Sequence, residues 1–361
     1  MKGKLVISFL VFILIIGGLL FVLVGQKSLG LKAKKLSDEV DLFPPEKLSL
    51  ERRRLLLKMD EFVRENFPFA NPEGLIPLTW KFSPLSSFFD FRIKKVLKEI
   101  KTIKVGKNEI VLWYVYNMGV IIKSEEKTVG VDLGQEWINS KITQLADHVD
   151  LLIFSHPHPD HLSIKVVKRA VGNGIPVVFP LGEVSSETFH GGGVVVGDET
   201  TTTSKMIAKL AKVKDSDLLI AMAPEETKTI EGIKITAYPA VHRGPSSLSG
   251  IPTRWFWFEV DGFRFLQTDD AGLVNKIPLS FFSDKVDVLL NSQPFPDPDE
   301  ILSINPKFAF PLHHYEIGHG QKACEEDTLE KYLQLAEQVK KQNPSIKVMP
   351  LIWGEKVRLA K

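Results

Sequence analysis

The longest apolar stretch of the chain lies at its amino end. No charged residue occurs between Leu5 and Gly25, and Leu, Ile, Val and Phe dominate the run. About 20 apolar residues in a helix span a hydrocarbon core of about 30 Å. The pattern therefore predicts an uncleaved transmembrane anchor over residues 1–30. A cleaved signal peptide needs a shorter apolar core and a small-residue cleavage site, and Gly25-Gln26-Lys27-Ser28 supplies no Ala-x-Ala pattern. The expected localisation is a single-pass membrane protein. Lys27, Lys32, Lys34 and Lys35 after the run favour a cytoplasmic body. The short basic tail with Lys2 and Lys4 favours an extracytoplasmic one, by a narrow margin.

Residues 31–105 read as a neck with amphipathic helices. Pro44-Pro45 precedes a stretch from Glu46 to Asn66 in which Leu50, Leu55, Leu57, Met59, Phe62 and Val63 recur at roughly helical spacing. Pro68, Pro72, Pro77 and Pro84 follow. From Phe88 to Lys104, apolar residues alternate with Arg92, Lys94, Lys95, Lys98, Lys101 and Lys104. Two readings fit: a basic helix lying on a membrane surface, or a helix covering one face of the body with solvated lysines.

Residues 106–361 alternate between strand and helix signals. Ile110 to Tyr116, Gly119 to Lys123 and Thr128 to Leu133 are short β-rich runs, and Val149 to Phe154 is continuously apolar, as a buried strand should be. A helix is expected over Ile164 to Val171. Further strands fall at Ile175 to Phe179, Gly232 to Tyr238, Trp255 to Val260, Phe263 to Thr268, Val286 to Leu290 and Phe308 to Leu312. Asp261-Gly262 is a hairpin turn. Glu325 to Lys341 reads as a helix, and Lys347 to Leu359 as a closing pair of strands. Two β-rich halves, each followed by helices, predict an α/β (α+β) fold of two face-to-face sheets with helices outside.

Composition adds exclusions. With 361 residues, 44% hydrophobic and 25% charged, the chain is globular rather than disordered. A net charge of +2 leaves no electrostatic footprint for nucleic acid. The single cysteine, Cys324, excludes an intramolecular disulfide framework and a cysteine-based zinc ribbon.

The chemistry concentrates in His156-Pro157-His158-Pro159-Asp160-His161, directly after the buried strand ending at Phe154. Close-set imidazole and carboxylate donors suit Zn²⁺ or a similar borderline metal. Four donors on one loop could close a single structural site. However, His242, Asp269-Asp270 and His313-His314 each follow a predicted strand, so one rim of the sheets can gather them. Seven donors exceed one tetrahedral ion and fit two ions sharing a carboxylate. Asp269 competes with Asp270 for this place, and His314 with His313. His319, Arg243 and Arg254 are candidates to shape a substrate pocket, Ser155 reads as a strand-end hydrogen-bonding residue, and Gly191-Gly192-Gly193 marks a loop.

The loop His156-x-His158-x-Asp160-His161, together with Val131-Asp132-Leu133-Gly134, His242, Asp270 and His313, resembles the five ordered motifs of the metallo-β-lactamase superfamily. Asp160-His161-Leu162-Ser163 and Pro180-Leu181-Gly182 resemble the branch that contains N-acylphosphatidylethanolamine-hydrolysing phospholipase D and ascorbate-6-phosphate lactonase. The resemblance implies a four-layered αββα sandwich. It implies that His156, His158 and His242 hold a first metal and that Asp160, His161 and His313 hold a second, with Asp270 bridging; Thr268-Asp269-Asp270-Ala271-Gly272 and Pro311-Leu312-His313 select Asp270 and His313. Asp132 would orient ligands rather than bind metal. The implied cofactors are two divalent ions, Zn²⁺ first, with Mn²⁺ or Fe²⁺ as alternatives. The implied activity is hydrolysis of an ester-type bond by a metal-bridging hydroxide, with Asp160 as the catalytic proton shuttle and a small-molecule or lipid substrate of phosphodiester type. Alternatives are a lactone or amide hydrolase, a di-iron redox protein, which the resemblance disfavours because such relatives usually carry Glu at the position of His158, and a non-catalytic membrane-tethered metal-binding module.

Overall fold

The structure is a computed structural model that describes residues 30–66, 80, 83–134, 136–190, 200–214, 217–243, 248–268, 270–274, 277–292, 297–315 and 328–361. Helix α1 covers 30–40. In chain order follow α2 (Leu50–Asn66), α3 (Pro84–Thr102), β1 (Glu109–Tyr116), β2 (Gly119–Lys123), β3 (Thr128–Val131), β4 (Leu151–Ile153), α4 (Ile164–Gly172), β5 (Val177–Pro180), β6 (Glu183–Val184), β7 (Thr201–Thr202), α5 (Thr203–Ala211) and β8 (Leu219–Met222). The second half contains β9 (Thr227–Ile230), β10 (Ile233–His242), β11 (Thr253–Val260), β12 (Phe263–Gln267), β13 (Ala271–Leu273), β14 (Val288–Ser292), α6 (Pro298–Ile304), β15 (Phe308–Leu312), α7 (Leu329–Gln342), β16 (Lys347–Val348) and β17 (Lys356–Ala360).

Two large sheets result. The first runs β17-β1-β2-β3-β4-β5-β8, and the second β13-β10-β11-β12-β14-β15-β16 with β9 paired to β10. In the first, β3, β4, β5 and β8 are parallel. Their crossovers α4 and α5 cover its outer face, so these short strands are apolar on both sides; Leu151, Leu152 and Ile153 are fully buried. Along β11 the side chains alternate between layers. Phe256 and Phe258 enter the core that also contains Ile121 and Val129 of the first sheet, whereas Trp255 joins the layer beneath α6 and α7 with Leu289, Ala309 and Val339. The strand period of two thus builds two adjacent layers from one sequence run.

Local signals place the helices. Ser83 accepts from the Ser86 amide ahead of Pro84, Ser163 from the Val166 amide, and Thr328 from the Lys331 amide; each side chain satisfies an otherwise unpaired donor of the first turn. Asp261 and Gly262 both take positive φ, 45° and 78°, as a tight β11–β12 turn requires. The closing stretch differs from expectation. Lys347–Val348 and Lys356–Ala360 do not pair with each other: the first extends the second sheet beside β15 and the second extends the first beside β1. The Pro350–Glu355 turn carries the chain from one sheet to the other, and a strand signal cannot say which edge it will join.

Helices α2 and α3 pack into the same core as the sheets, through Leu55, Leu56, Met59, Phe88, Phe89, Ile93 and Val96. Arg52 of α2 and Arg92 of α3 are fully buried. Arg52 donates to the Glu355 carboxylate and, at 2.8 Å, to the Pro350 carbonyl; Arg92 donates to the Trp353 and Gly354 carbonyls. Helix α3 therefore covers a face of the body, with Lys94, Lys98 and Lys101 turned outward.

The expected membrane anchor is corrected here. Among the described residues no helix is long and apolar enough to cross a membrane. Charged residues interrupt α2 and α3 at nearly every turn. The apolar run from Leu5 to Gly25 lies outside the described residues.

Candidate metal centre

One rim collects the chemistry. The parallel strands β3 and β4 both end there, delivering Asp132 and the His156–His161 loop. Strands β10 and β12 run in the same direction, each antiparallel to β11, and β14 and β15 run parallel to β12. Their carboxyl ends deliver His242, Asp270 and His313 opposite the loop. Register fixes the second set further: β10 pairs with β13, His242 against Ala271, and the Arg243 amide donates to the Asp270 carbonyl at 2.7 Å. Gly134 belongs to the same construction. A Cβ there would lie 2.2 Å from the Asp160 carbonyl oxygen, so only glycine lets the turn after β3 lie against the histidine loop.

The seven expected residues form two adjoining groups of donor atoms: His156, His158 and His242, and Asp160, His161, Asp270 and His313. Within each, one donor atom per residue lies within 4.8 Å of every other. In the second group His161 Nε2 is 3.0 Å from Asp160 Oδ2 and 3.4 Å from Asp270 Oδ2, and His313 Nε2 is 3.0 Å from Asp270 Oδ2. Donors around one tetrahedral ion at about 2.0–2.1 Å stand about 3.3 Å apart, so this group has the size of a coordination shell. The groups touch: the His156 and His161 ring centroids are 4.0 Å apart.

Hydrogen bonds set the tautomers. His242 Nδ1–H donates to the Arg243 carbonyl at 2.5 Å, and its buried Nε2 has no hydrogen-bond partner, leaving a lone pair for an ion. His161 Nδ1–H donates to Asp132 Oδ2 at 3.0 Å, which turns Nε2 toward Asp160 and Asp270. Asp132, at φ 44°, also accepts from the Ser155 amide (2.8 Å), the Ser155 hydroxyl (2.7 Å) and the Gln267 amide. Asp132 thereby anchors His161. Burial and the neighbouring imidazoles His161 and His242 hold His156 well below the usual histidine range, and burial takes His158 down to about 3. Burial pushes the Asp160 and Asp270 carboxyls up, but the imidazoles of His161 beside Asp160 and of His313 beside Asp270 more than offset it, so both stay ionised. Ionised carboxylates and neutral imidazoles are the forms that ligate divalent ions, so an ion entering the second group would take the place of a proton on His161 and on His313. The donor set fits a pair of such ions.

Other candidates separate from this cluster. His314 is buried against Tyr114, Tyr332 and Trp353, and it is His313 that lies among the grouped donor atoms. Ser155 is the strand-end hydrogen-bonding residue its position suggested. Arg254 is buried and donates to the Thr253 and Leu181 carbonyls; Arg243 reaches Glu300 at 3.4 Å. Asp269, His319, Cys324 and Gly191–Gly193 lie outside the described residues. Two residues escaped the sequence reading. Gln267 ends β12 and bonds Asp132 across the sheets. Asn117 sits in the β1–β2 turn and donates to Asp160 Oδ2 at 3.2 Å. The turn signal Asn117-Met118-Gly119 was present, but nothing in it marks contact with a ligand 43 residues away.

No protein-family model matches the sequence, and no curated protein matches it. Solved structures do. The chain is similar to CmlA, a diiron β-hydroxylase from Streptomyces venezuelae, at 12% identity and a TM-score of 0.51, over 71% of this chain and 55% of that one. It is also similar to Igni18, a metallo hydrolase from Ignicoccus hospitalis (15% identity, TM-score 0.47, 70% of this chain and 99% of that one). A third is YhfI, a metallo-β-lactamase fold protein from Bacillus subtilis (14% identity, TM-score 0.44, 70% and 100%). The likeness is one of fold alone: over 71% of its length the chain shares the fold of CmlA.

Proposed function

We propose that the protein is a metal-dependent hydrolase that holds two divalent ions, Zn²⁺ in the first instance, and cleaves an ester-type bond in a small molecule, with phosphodiesters as the favoured class. The observation that carries this reading is the adjacency of the two donor groups. Two ions a few ångströms apart are the arrangement used to clamp and hydrolyse ester and phosphoester bonds.

His156, His158 and His242 would hold one ion, Asp160, His161 and His313 the other, with Asp270 shared. Bound there, the ions supply Lewis-acid polarisation of the scissile bond and lower the pKa of water. The chain's residues do the rest. Asp132 fixes the tautomer and direction of His161. Asp160, held through Oδ2 by Asn117 and His161, takes a proton at Oδ1 from the attacking water and returns it to the leaving group.

The test is a substrate panel on the full-length protein: generic phosphodiester, lactone and amide substrates, each with Zn²⁺, Mn²⁺ or chelator, beside His158→Ala. Metal-dependent phosphodiester turnover that disappears in the variant supports the proposal. Turnover confined to lactones or amides keeps the hydrolase and replaces the substrate class. Two bound irons with a visible absorption band and no hydrolysis would overturn it in favour of redox chemistry.

A further inference from the structure

Asn117 is unusual for a turn residue. It has φ 53°, a conformation that asparagine, aspartate and glycine tolerate and most residues avoid. Turn geometry accounts for that much. It does not account for the burial of the whole residue, at 0% exposure, or for the direction of its side chain. The amide Nδ2 donates to Asp160 Oδ2 at 3.2 Å and lies 3.4 Å from the Asp160 carbonyl oxygen. The Asn117 carbonyl in turn accepts the His313 amide at 2.9 Å. Asp160 comes from the loop of the first sheet and His313 from the end of β15 in the second. One turn residue therefore holds two members of the same donor group from opposite sides. His313 itself takes φ 71°, a backbone that the Asn117 carbonyl helps to pin.

We propose that Asn117 is a positioning residue for the second metal ion: it orients the Asp160 carboxylate and spaces it from His313, and it has no part in holding the first ion. The inference rests on the two-ion reading above. Its chemistry requires a donor at this position. Nδ2 hydrogens can approach an ionised carboxylate, whereas a carboxylate in the same place would repel it. The side chain of Asn117 bonds Asp160 and its carbonyl bonds the His313 amide, on the second donor group, so loss of the side-chain amide acts on one ion selectively. Partners that orient metal-ligating side chains typically affect affinity by about 10–100-fold.

Two variants separate positioning from turn formation. Asn117→Gly keeps the left-handed turn and deletes the amide; Asn117→Asp keeps the turn and the volume and replaces the donor by an acceptor. The full-length protein and both variants are stripped with chelator, then titrated with Zn²⁺ against a chromophoric competitor, with thermal melting of the metal-free forms alongside. The expected result is two ions on the parent protein, and in each variant one ion at parental affinity with the other about 10–100-fold weaker, at near-parental melting of the metal-free form. Two ions at parental affinity in both variants would overturn the inference while leaving the two-ion reading intact. So would equal weakening of both ions, or failure of both variants to fold, since either assigns Asn117 to the fold alone. A parent protein that binds no Zn²⁺, Mn²⁺ or Fe²⁺ would overturn the two-ion reading itself.

Discussion

The Tyr315 hydroxyl donates to Asp60 Oδ1, a buried contact between helix α2 and the residue two places after His313. The same carboxylate accepts the Leu329 and Glu330 amides at 2.8 and 2.9 Å, so Asp60 also caps the first turn of α7. Burial raises its pKa to about 6, against the lowering pull of the two amides. The folded chain therefore holds a proton on Asp60 between about pH 4 and pH 6 that the unfolded chain has released.

A group whose folded pKa is raised contributes stability that is fully present below the unfolded pKa and lost as pH climbs through the folded one. Relative to Asp60→Asn, the parent protein should lose up to about 3 kcal/mol of unfolding free energy between pH 4 and pH 6.5. Urea unfolding of both proteins at several pH values checks this, and parallel curves would refute it.

Arg52 and Glu355 make a bidentate pair inside the protein, side chains 0% and 3% exposed, with Nη2 to Oε2 at 2.6 Å. Glu355 also accepts the Ile352 amide at 2.6 Å, and the turn it holds carries Trp353, which stacks on His314 and meets Tyr315 edge-on. Removing one partner strands the other charge in the core. Arg52→Met and Glu355→Gln should each cost about 3–5 kcal/mol, while Arg52→Met/Glu355→Leu should cost clearly less than the sum. Additive losses in chemical denaturation would mean that the two side chains stabilise separate features.

The sequence made the strands of both sheets readable because the apolar runs there are short and well bounded. Gly119–Lys123 and Phe308–Leu312 coincide with the expected strands, and the residue types at the strand ends marked the candidate donors, while the choice of Asp270 over Asp269 and of His313 over His314 came from the family resemblance. What it withheld were relations between distant segments. Nothing in the helical spacing of the two neck helices marks Arg52 or Arg92 as buried, yet they enter the core to bond the Pro350–Glu355 turn. Asn117 and Gln267 carry no motif, and their importance arises only when two sheets are stacked. The apolar amino-terminal run set an expectation of membrane crossing that no described helix meets.

Asp132 gives the last test, because bonds from His161, Ser155 and Gln267 converge on one small carboxylate. Oδ2 accepts from His161, Ser155 and Gln267, and Oδ1 from the Ser155 amide. Asp132→Asn preserves the shape and replaces one acceptor by a donor that faces other donors. His161 then loses the charge-assisted bond that fixes its tautomer, and Nε2 is no longer held toward Asp160 and Asp270. Zn²⁺ affinity at the four-residue group should fall about 10–100-fold. His156, His158 and His242 should keep their ion, since His242 is held by the Arg243 carbonyl instead. Gln267→Leu should have a smaller effect in the same direction, because it removes one of three donors to Oδ2. Competitive Zn²⁺ titration of the two variants checks the order; a Gln267 variant weaker than the Asp132 variant would place the controlling bond between the sheets rather than on the histidine.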